Sequence, residues 1–298
     1  MEPRKRQWLK LIAVAGALTL ALAACGEEEP APPAGDNGGT EEPAADFKLV
    51  EDGVLTVGSD IPYPPFEFEE GGQLTGYDVE LVRAIADKLG LENPDDAWIS
   101  TDFGTIFQQL QSGTKFDIVV AAVTAYAPEG SPAAVTVAER REVVDFSDPY
   151  YPSLQSLTVN TDETPDIKST EDLPEGARVA VQRATTGAFF AEEKLAPQGV
   201  ELVSFEKAPQ MYQQLQAGAV VAVFNDLPVS VDSIKDKPSL EVVEQVETGE
   251  EYAIAVAKDN PALLQAINDA LAELISEGTF QEIFQKYFPD QELPEFAQ

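Results

Sequence analysis

The chain has no histidine and only one cysteine among its 298 residues. Histidine is the side chain that most often serves as a general base and as a metal ligand. Its absence excludes Ser-His and Cys-His nucleophile arrangements, and with a lone cysteine it also excludes zinc sites built from cysteine and histidine. Catalysis by carboxylate, lysine or tyrosine stays open. We expect no metal and no cofactor.

Basic side chains are also scarce, because 19 lysines and arginines stand against 53 aspartates and glutamates, for a net charge of −34. Without a basic surface to meet phosphates, a nucleic-acid partner is not expected. A polyanion of this strength repels itself at low ionic strength. Two origins of the acidity remain open, namely adaptation to a saline habitat and a generally acidic proteome.

The first 25 residues have the pattern of an export signal. A basic start is followed by 14 uncharged residues, Leu11 to Ala24, which is short of the ~20 residues of a membrane-spanning helix but typical of a signal peptide. The run LAAC that ends at Cys25 resembles the lipobox of bacterial lipoproteins. That resemblance implies cleavage before Cys25, lipidation of Cys25 and an extracytoplasmic protein anchored to the cell membrane. The alternative is an ordinary signal peptide with a spare cysteine.

The next segment, residues 26–46, is rich in proline, glycine and acids and lacks large apolar side chains. Such a segment buries too little apolar surface to offset the entropy of ordering. We therefore predict a signal peptide over residues 1–24 and a lipidated, disordered acidic linker over residues 25–46. Periodic apolar sequence from Phe47 to Phe288 leaves about 250 residues for one large domain or two lobes.

A short motif occurs twice, 105 residues apart, as IFQQLQSG at residues 106–113 and MYQQLQAG at residues 211–218. Each copy predicts a short helix that ends at a glycine, the residue that most easily adopts the left-handed conformation there. Each is followed by a run of apolar, mostly β-branched residues, at 117–123 and 220–224, typical of a buried strand in a parallel sheet. The repeat favours two similar α/β lobes, and a chance likeness of two amphipathic helices is the alternative.

The rest of the chain also alternates between strand and helix patterns. We predict strands at residues 54–58, 178–182, 202–205 and 252–257. We predict helices from a cap at Asp78 to Gly90, from Thr186 to Leu195, from Pro261 to Ser276, and over a last amphipathic turn at residues 280–287. This alternation indicates the α/β class.

Four further motifs carry a family resemblance when they are taken in order. They are GSDIPYPPFEF at residues 58–68, GYDV at 76–79, LQSG at 110–113 and VDFSDPYY at 144–151. Each motif is weak alone, but together, over residues 55–288, they resemble the polar-amino-acid solute-binding proteins of bacterial ATP-driven uptake transporters, family 3.

This resemblance implies a two-lobed periplasmic-binding-protein fold of type II, with two crossover strands that form a hinge. Lobe 1 would be residues 47–150 plus 253–298, and lobe 2 would be residues 151–252, with crossings near 150–154 and 248–252. The cleft would close on a free amino acid and deliver it to the transmembrane subunits of an ABC permease. The implied protein is a monomer without a cofactor, held at the membrane by its lipid alone.

The resemblance also implies which residues hold the charged ends of the ligand. A zwitterion that leaves water must have both charges paired, and arginine matches a carboxylate bidentately. By register with the family, Arg140 would bind the carboxylate, with the hydroxyls of Thr124 and Thr185 as further donors. Asp226 would bind the ammonium, which the carbonyl of Ala122 would also face. From composition alone, Arg140 is equally consistent with a solvated helix face, Asp226 with an exposed loop, and the small residues with caps or core.

The register implies a pocket for the ligand side chain as well. Tyr63 and Phe103 would form its walls, although Phe103 also fits the core stripe of a helix. Asp60 and Gln182 would touch the distal end of the ligand side chain. Both are polar hydrogen-bonding groups, which favours a glutamine-like or basic amino acid over an aliphatic one.

Two departures from the family pattern adjoin this site. Residues 125–135 read as an insertion that could displace Arg140, and Ala184 replaces a usual glycine. Two other functions stay open. One is an enzyme on the same scaffold, such as a dehydratase, for which Glu67 and Glu139 are the candidate acids. The other is a sensor module that reports its ligand to a receptor.

Overall fold

The computed structural model describes residues 47–298. The predicted signal peptide, the lipidated Cys25 and the linker lie outside the described residues. No helix between residues 47 and 298 combines the length and the apolar composition that a membrane crossing requires. The eight helices of this part are α1 Tyr77–Leu89, α2 Ile106–Gln111, α3 Pro132–Val143, α4 Thr186–Lys194, α5 Ala208–Gln216, α6 Leu227–Ile234, α7 Pro261–Glu277 and α8 Thr279–Tyr287.

The strands of the described residues form two main sheets and one short hairpin. In chain order they are β1 Val57–Ser59, β2 Phe68–Glu70, β3 Gln73–Thr75, β4 Trp98–Ser100, β5 Ile118–Val119, β6 Thr124–Tyr126, β7 Val144–Phe146, β8 Tyr151–Asn160, β9 Arg178–Gln182, β10 Glu201–Phe205, β11 Ala222–Asp226, β12 Leu240–Tyr252 and β13 Ala255–Ala257. The first sheet has the order β4-β1-β5-β13-β7, and the second has the order β10-β9-β11-β8-β12-β6. Strands β2 and β3 form the hairpin.

Both sheets are mixed. In the first sheet β1 runs parallel to β4 and β5, while β13 is antiparallel to its neighbours β5 and β7. In the second sheet β9 runs parallel to β10 and β11, while β8, β12 and β6 add antiparallel strands. Alternating strands and helices with a mainly parallel centre confirm the predicted α/β class.

The chain passes between the sheets along two neighbouring strands. Strand β8 begins soon after β7 of the first sheet, and β12 ends just before β13 of that sheet. The two strands are antiparallel, and Tyr151 pairs with Tyr252. Strand β6, which belongs to the predicted insertion, pairs with the end of β12. The two passages lie side by side, which is the geometry of a hinge.

An aromatic cluster packs around these passages. The ring of Phe66 lies 5.2 Å from Tyr151 and 5.5 Å from Tyr252 between centroids. Phe288 follows α8, and its ring lies 4.7 Å from that of Tyr151 at an interplanar angle of 43°. Aromatic pairs at such distances contribute about 0.5–1.5 kcal/mol beyond their buried area. The cluster therefore ties the C-terminal helix to the start of β8 and to the end of β12.

The internal repeat takes equivalent positions in the two sheets. Helix α2 leads through Gly113 to β5 of the first sheet, and α5 leads through Gly218 to β11 of the second. Both glycines adopt left-handed backbone, with φ of 63° and 69°. The predicted helix–glycine–strand unit is confirmed in both copies.

Several predicted boundaries were wrong. Asp78 does not cap α1, because the cap is Gly76 and the Asp78 side chain instead accepts the Ala122 N–H at 3.1 Å. Strand β1 starts at Val57 rather than at residue 54, and the apolar run at 117–123 has only two residues in β5. The predicted strand at 252–257 is two strands, β12 and β13, since the chain changes sheets there.

Candidate functional site

One cavity brings together all nine residues that the family register proposed. The empty space between its lining residues is about 320 Å³, part of which is open to solvent. Two residues not proposed from sequence, Ala121 and Thr186, complete the lining. The nine are Asp60, Tyr63, Phe103, Ala122, Thr124, Arg140, Gln182, Thr185 and Asp226.

Arg140 is the cation of this cavity. It lies on α3, and only 5% of the residue is exposed, so it is not on a solvated helix face. Its guanidinium donates to the Thr124 carbonyl at 2.7 Å and to the Ala184 carbonyl at 3.3 Å, and it lies over the Phe103 ring at 5.3 Å. These partners are neutral, and no carboxylate of residues 47–298 forms an ion pair with it. Burial lowers the pKa of Arg140 to about 10, although Glu250 and Asp226 oppose the shift.

Asp226 is one of two carboxylates that line the cavity, with Asp60. It ends β11 and is buried rather than exposed in a loop. Its two oxygens accept from the Tyr63 hydroxyl at 2.7 Å and from the Gln155 amide at 2.6 Å. Burial raises the pKa of Asp226, while hydrogen bonds from Tyr252, Tyr63 and Gln155 oppose the shift. No lysine or arginine in the described part forms an ion pair with it.

Glu250, on β12, adds a second carboxylate behind the cavity wall. Its Oε2 accepts from the Thr124 hydroxyl at 2.8 Å and from the Thr186 hydroxyl at 2.7 Å. Its Oε1 is buried and has no hydrogen-bond partner among residues 47–298. Burial raises the pKa of Glu250, and the charge of Asp226 raises it further.

Thr185 lines the cavity but its hydroxyl is already engaged. It is the N-cap of α4, where its oxygen accepts from the Ala188 N–H at 3.0 Å. Its hydrogen is donated to the Gln182 carbonyl at 2.8 Å. Because a hydroxyl has a single hydrogen, Thr185 in this conformation has none to offer a ligand.

Two alanines of the site have unusual backbone conformations. Ala122 has φ of 46° and Ala184 has φ of 65°, a region that costs a residue with a Cβ on the order of 1–2 kcal/mol. The Asp78 carboxylate holds the Ala122 N–H, and the Ala184 carbonyl accepts from Arg140. The replacement of glycine at position 184 therefore adds local strain beside the cation of the cavity.

Asp60 and Gln182 lie at the other end of the cavity and contact each other. The Gln182 amide nitrogen donates to Asp60 at 2.6 Å. Lys207, the N-cap of α5, also donates to Asp60 from the second sheet's side. Burial raises the pKa of Asp60, and the hydrogen bond and charge of Lys207 oppose the shift.

Sequence reasoning missed Thr186, Glu250 and Lys207. Thr186 follows Thr185 directly, so the Thr-Thr pair at a helix start was a usable signal. Glu250 and Lys207 have no such signal, because charged residues in an acidic chain are usually surface residues. Conversely, the candidate enzyme acids do not line the cavity. Glu67 is buried beside Asp78, and Glu139 is exposed on α3.

No group of three or more His, Cys, Asp and Glu side chains within residues 47–298 is placed to hold a metal ion. What the cavity offers instead is a buried cation and a buried anion that lack ion-pair partners among the described residues, Arg140 and Asp226, and a second carboxylate, Asp60, that is paired with Lys207. Such an arrangement suits a small dipolar solute, since each of the solute's charges would replace water with an opposite charge.

Comparison with known proteins places this chain in a family. The L-cystine-binding protein TcyJ of Escherichia coli (strain K12) is 31% identical over 243 residues, which cover 81% of this chain and 85% of TcyJ. An ancestral arginine-binding protein bound to arginine superposes with a TM-score of 0.70 at 37% identity, over 79% of this chain and 98% of the other.

A third relative bears on the enzyme alternative. An ancestral amino acid-binding protein, a precursor of cyclohexadienyl dehydratase, superposes with a TM-score of 0.67 at 34% identity, over 79% of this chain and 95% of the other. The predicted type II periplasmic-binding-protein fold is confirmed by these structures. Residues 55–290 match the sequence profile of one family, and the chain belongs to the bacterial extracellular solute-binding proteins, family 3.

Proposed function

We propose that this protein binds a free polar amino acid, glutamine-like or basic, in the cavity and delivers it to the permease of an ABC-type uptake transporter. The observation that carries this proposal is the pair of buried, oppositely charged groups without ion-pair partners among the described residues, Arg140 and Asp226. A buried charge without a counter-charge is costly, and an amino-acid zwitterion supplies both counter-charges at once.

The roles within the site follow from its contacts. The α-carboxylate lies against Arg140, whose fork geometry matches it, and the ammonium lies between Asp226 and the backbone of Ala122. Phe103, beneath Arg140, and Tyr63, bonded to Asp226, shape the walls. Because Thr124 and Thr185 already donate elsewhere, their hydroxyls serve the ligand only if these bonds change on binding.

The binding mechanism is hinge closure about the two crossing strands. Lobe 1 is proposed as residues 47–150 plus 253–298, and lobe 2 as residues 151–252. Cavity residues from both portions, such as Asp60 and Gln182, make their contacts only when the lobes are together. A ligand that bridges them stabilises the closed state by its differential contacts. The protein acts as a monomer, and no bond is made or broken.

The membrane anchor is proposed from sequence alone. Lipidation of Cys25 would tether the binding domain outside the cytoplasmic membrane through residues 26–46. Replacement Cys25→Ala should move the protein from the membrane to the aqueous fraction in a cell fractionation. A variant that stays in the membrane fraction would contradict the lipid anchor without bearing on ligand binding.

The function is tested by thermal unfolding of the purified full-length chain against each of the twenty amino acids at fixed high salt. A ligand at 100 times its Kd adds ~2.7 kcal/mol, which for this size raises Tm by roughly 5–10 °C. A shift with one or a few polar amino acids supports the proposal. A folded protein whose Tm responds to none of them would refute it.

A further inference from the structure

The cavity residue Asp60 is already paired with a lysine of the protein itself, Lys207, which lies behind the cavity lining. The Lys207 ammonium donates to Asp60 Oδ1, to the Ile61 carbonyl at 3.2 Å and to the Thr101 carbonyl at 3.3 Å. The Asp60 side chain is 3% exposed and the Lys207 side chain 28%. All three hydrogens of the ammonium thus have acceptors, and the Asp60 carboxylate, which lines the cavity, is already paired with a cation.

Four charged side chains at the cavity, two positive and two negative, sum to zero net charge before a ligand enters. Asp60 and Lys207 neutralise each other. Arg140 and Asp226 would pair with the carboxylate and the ammonium of an amino acid. A neutral side chain leaves every one of these charges matched. A cationic side chain would bring a second positive charge to Lys207, and like charges at close range disfavour each other by several kcal/mol. Charge balance therefore disfavours arginine and lysine as ligands.

Gln182 supplies an independent constraint. Its amide nitrogen faces two groups that only accept, Asp60 Oδ2 at 2.6 Å and the Glu206 carbonyl at 3.1 Å, so the orientation of the amide is determined. Its oxygen is then left as an acceptor, buried and without a partner among residues 47–298. A buried acceptor without a donor is unfavourable, and Gln182 lines the cavity. An N–H or O–H group on the ligand would satisfy it.

We propose that Lys207 is a specificity-determining residue that excludes cationic side chains and, with Gln182, selects a neutral side chain that donates a hydrogen bond, with a carboxamide as the best match. A carboxamide offers its NH₂ to Gln182 Oε1 and brings no positive charge close to the lysine ammonium, whose three hydrogens are already engaged. The inference rests on the proposed function, since it takes the cavity to be the amino-acid site and narrows the ligand from glutamine-like or basic to glutamine-like.

The test is titration calorimetry of the full-length wild type and of Lys207→Met with glutamine, asparagine, arginine and lysine at fixed high salt. Methionine keeps the length and apolar stem of lysine but removes its charge, which leaves Asp60 free to meet a cation. Lys168→Met is the matched control, because Lys168 is an exposed lysine of the same half of the chain.

The wild type should bind a carboxamide amino acid at least ~10-fold more tightly than arginine or lysine, a ratio that corresponds to about 1.4 kcal/mol. Lys207→Met should shift that ratio at least ~10-fold towards the cationic ligands, and Lys168→Met should leave it unchanged. Wild type that binds arginine or lysine as well as glutamine overturns the inference on its own, even if the variant does not fold. The inference is also overturned if a folded Lys207→Met variant keeps the wild-type ratio of carboxamide to cationic ligand affinities. Either of these results would leave the proposed amino-acid-binding function intact. A folded wild type that binds no amino acid would refute both the proposed function and the role of Lys207.

Discussion

Thr124 donates its hydroxyl hydrogen to Glu250 at 2.8 Å. Thr124 lies in the wall of the cavity, which Arg140 also lines. A hydroxyl has one hydrogen, so Thr124 cannot donate to a ligand while it donates to an ionised Glu250. A protonated Glu250 can donate in turn, and Thr124 is then free to face the ligand. The charged groups that act on Glu250 across the cavity are Arg140 and Asp226.

The hydrogen bond between Thr124 and Glu250 predicts that the protein takes up a proton when it binds its ligand. Burial, and then the charge of Asp226, raise the pKa of Glu250, and a ligand carboxylate brought to Arg140 raises it further. Because the bound ligand raises the pKa of Glu250, binding favours the protonated form of Glu250. The affinity for the ligand should therefore fall as pH rises through the pKa of Glu250 in the folded protein. Calorimetry in two buffers of different ionisation enthalpy measures the proton uptake directly.

Glu250→Gln should remove both the proton uptake and this pH dependence, because glutamine can donate and accept without titrating. Glu247→Gln, an exposed residue of the same strand, serves as the control and should retain both. Proton uptake that persists in Glu250→Gln would rule out Glu250 as its source.

Two consecutive arginines allow a matched test of the carboxylate site. Arg140→Ala should weaken amino-acid binding by about 3–5 kcal/mol, since the ligand carboxylate would be buried without a partner. Arg141→Ala removes an identical charge that lies instead over the Tyr126 ring at 4.7 Å and bonds the Ala125 carbonyl. That control should change affinity by less than about 1 kcal/mol. Equal losses in the two variants, measured by calorimetry, would contradict the assignment of Arg140.

A buried carboxyl pair below the cavity predicts a pH dependence of stability. Burial raises the pKa of Asp78 to about 7, against hydrogen bonds from the Ala122 N–H and the Tyr150 hydroxyl. The pKa of Glu67 is raised well above its ordinary value, by burial and then by the charge of Asp78. Because the pKa of Asp78 is raised, its contribution to stability is fully present below its ordinary pKa of 3.8 and is lost as pH rises from there to about 7; the contribution of Glu67 continues to fall towards higher pH.

The expected loss is at most about 1.4 kcal/mol per pH unit for each proton released, measured by urea unfolding at pH 5.5, 7 and 8.5. Asp78→Asn should flatten the slope near pH 7. Asp87→Asn, on the exposed side of the same helix, should follow the wild type. An unchanged slope in Asp78→Asn would show that Asp78 does not titrate in this range.

The left-handed alanine next to Arg140 predicts a stabilising substitution. Ala184→Gly should raise the unfolding free energy by about 1 kcal/mol, because glycine adopts φ of 65° without a clashing Cβ. The same change in the middle of a helix, Ala266→Gly in α7, should lower it by about 0.5–1 kcal/mol. If Ala184→Gly also destabilises the protein in urea unfolding, the strain at this position is not real.

Much of the fold could be predicted because local signals carry it. Gly90, Gly113, Gly218 and Gly278 each sit in left-handed backbone just after a helix, and Pro261 opens α7. The repeat located two equivalent helix–strand units. Boundaries failed where tertiary contacts override local preference. Asp78 has the composition of a cap, yet the Ala122 N–H across the fold holds its carboxylate.

The sequence by itself determined the class, the family and the nine cavity residues, because the family register places chemically matched side chains at the ends of strands. Only the tertiary structure decided what surrounds them. Glu250 and Lys207 are two charges among many in an acidic chain, and nothing local distinguishes them from surface residues. They matter because the crossing strand buries one behind Thr124, and the N-terminus of α5 carries the other to Asp60. Contacts between residues more than 100 positions apart depend on the path of the backbone, which local periodicity does not encode.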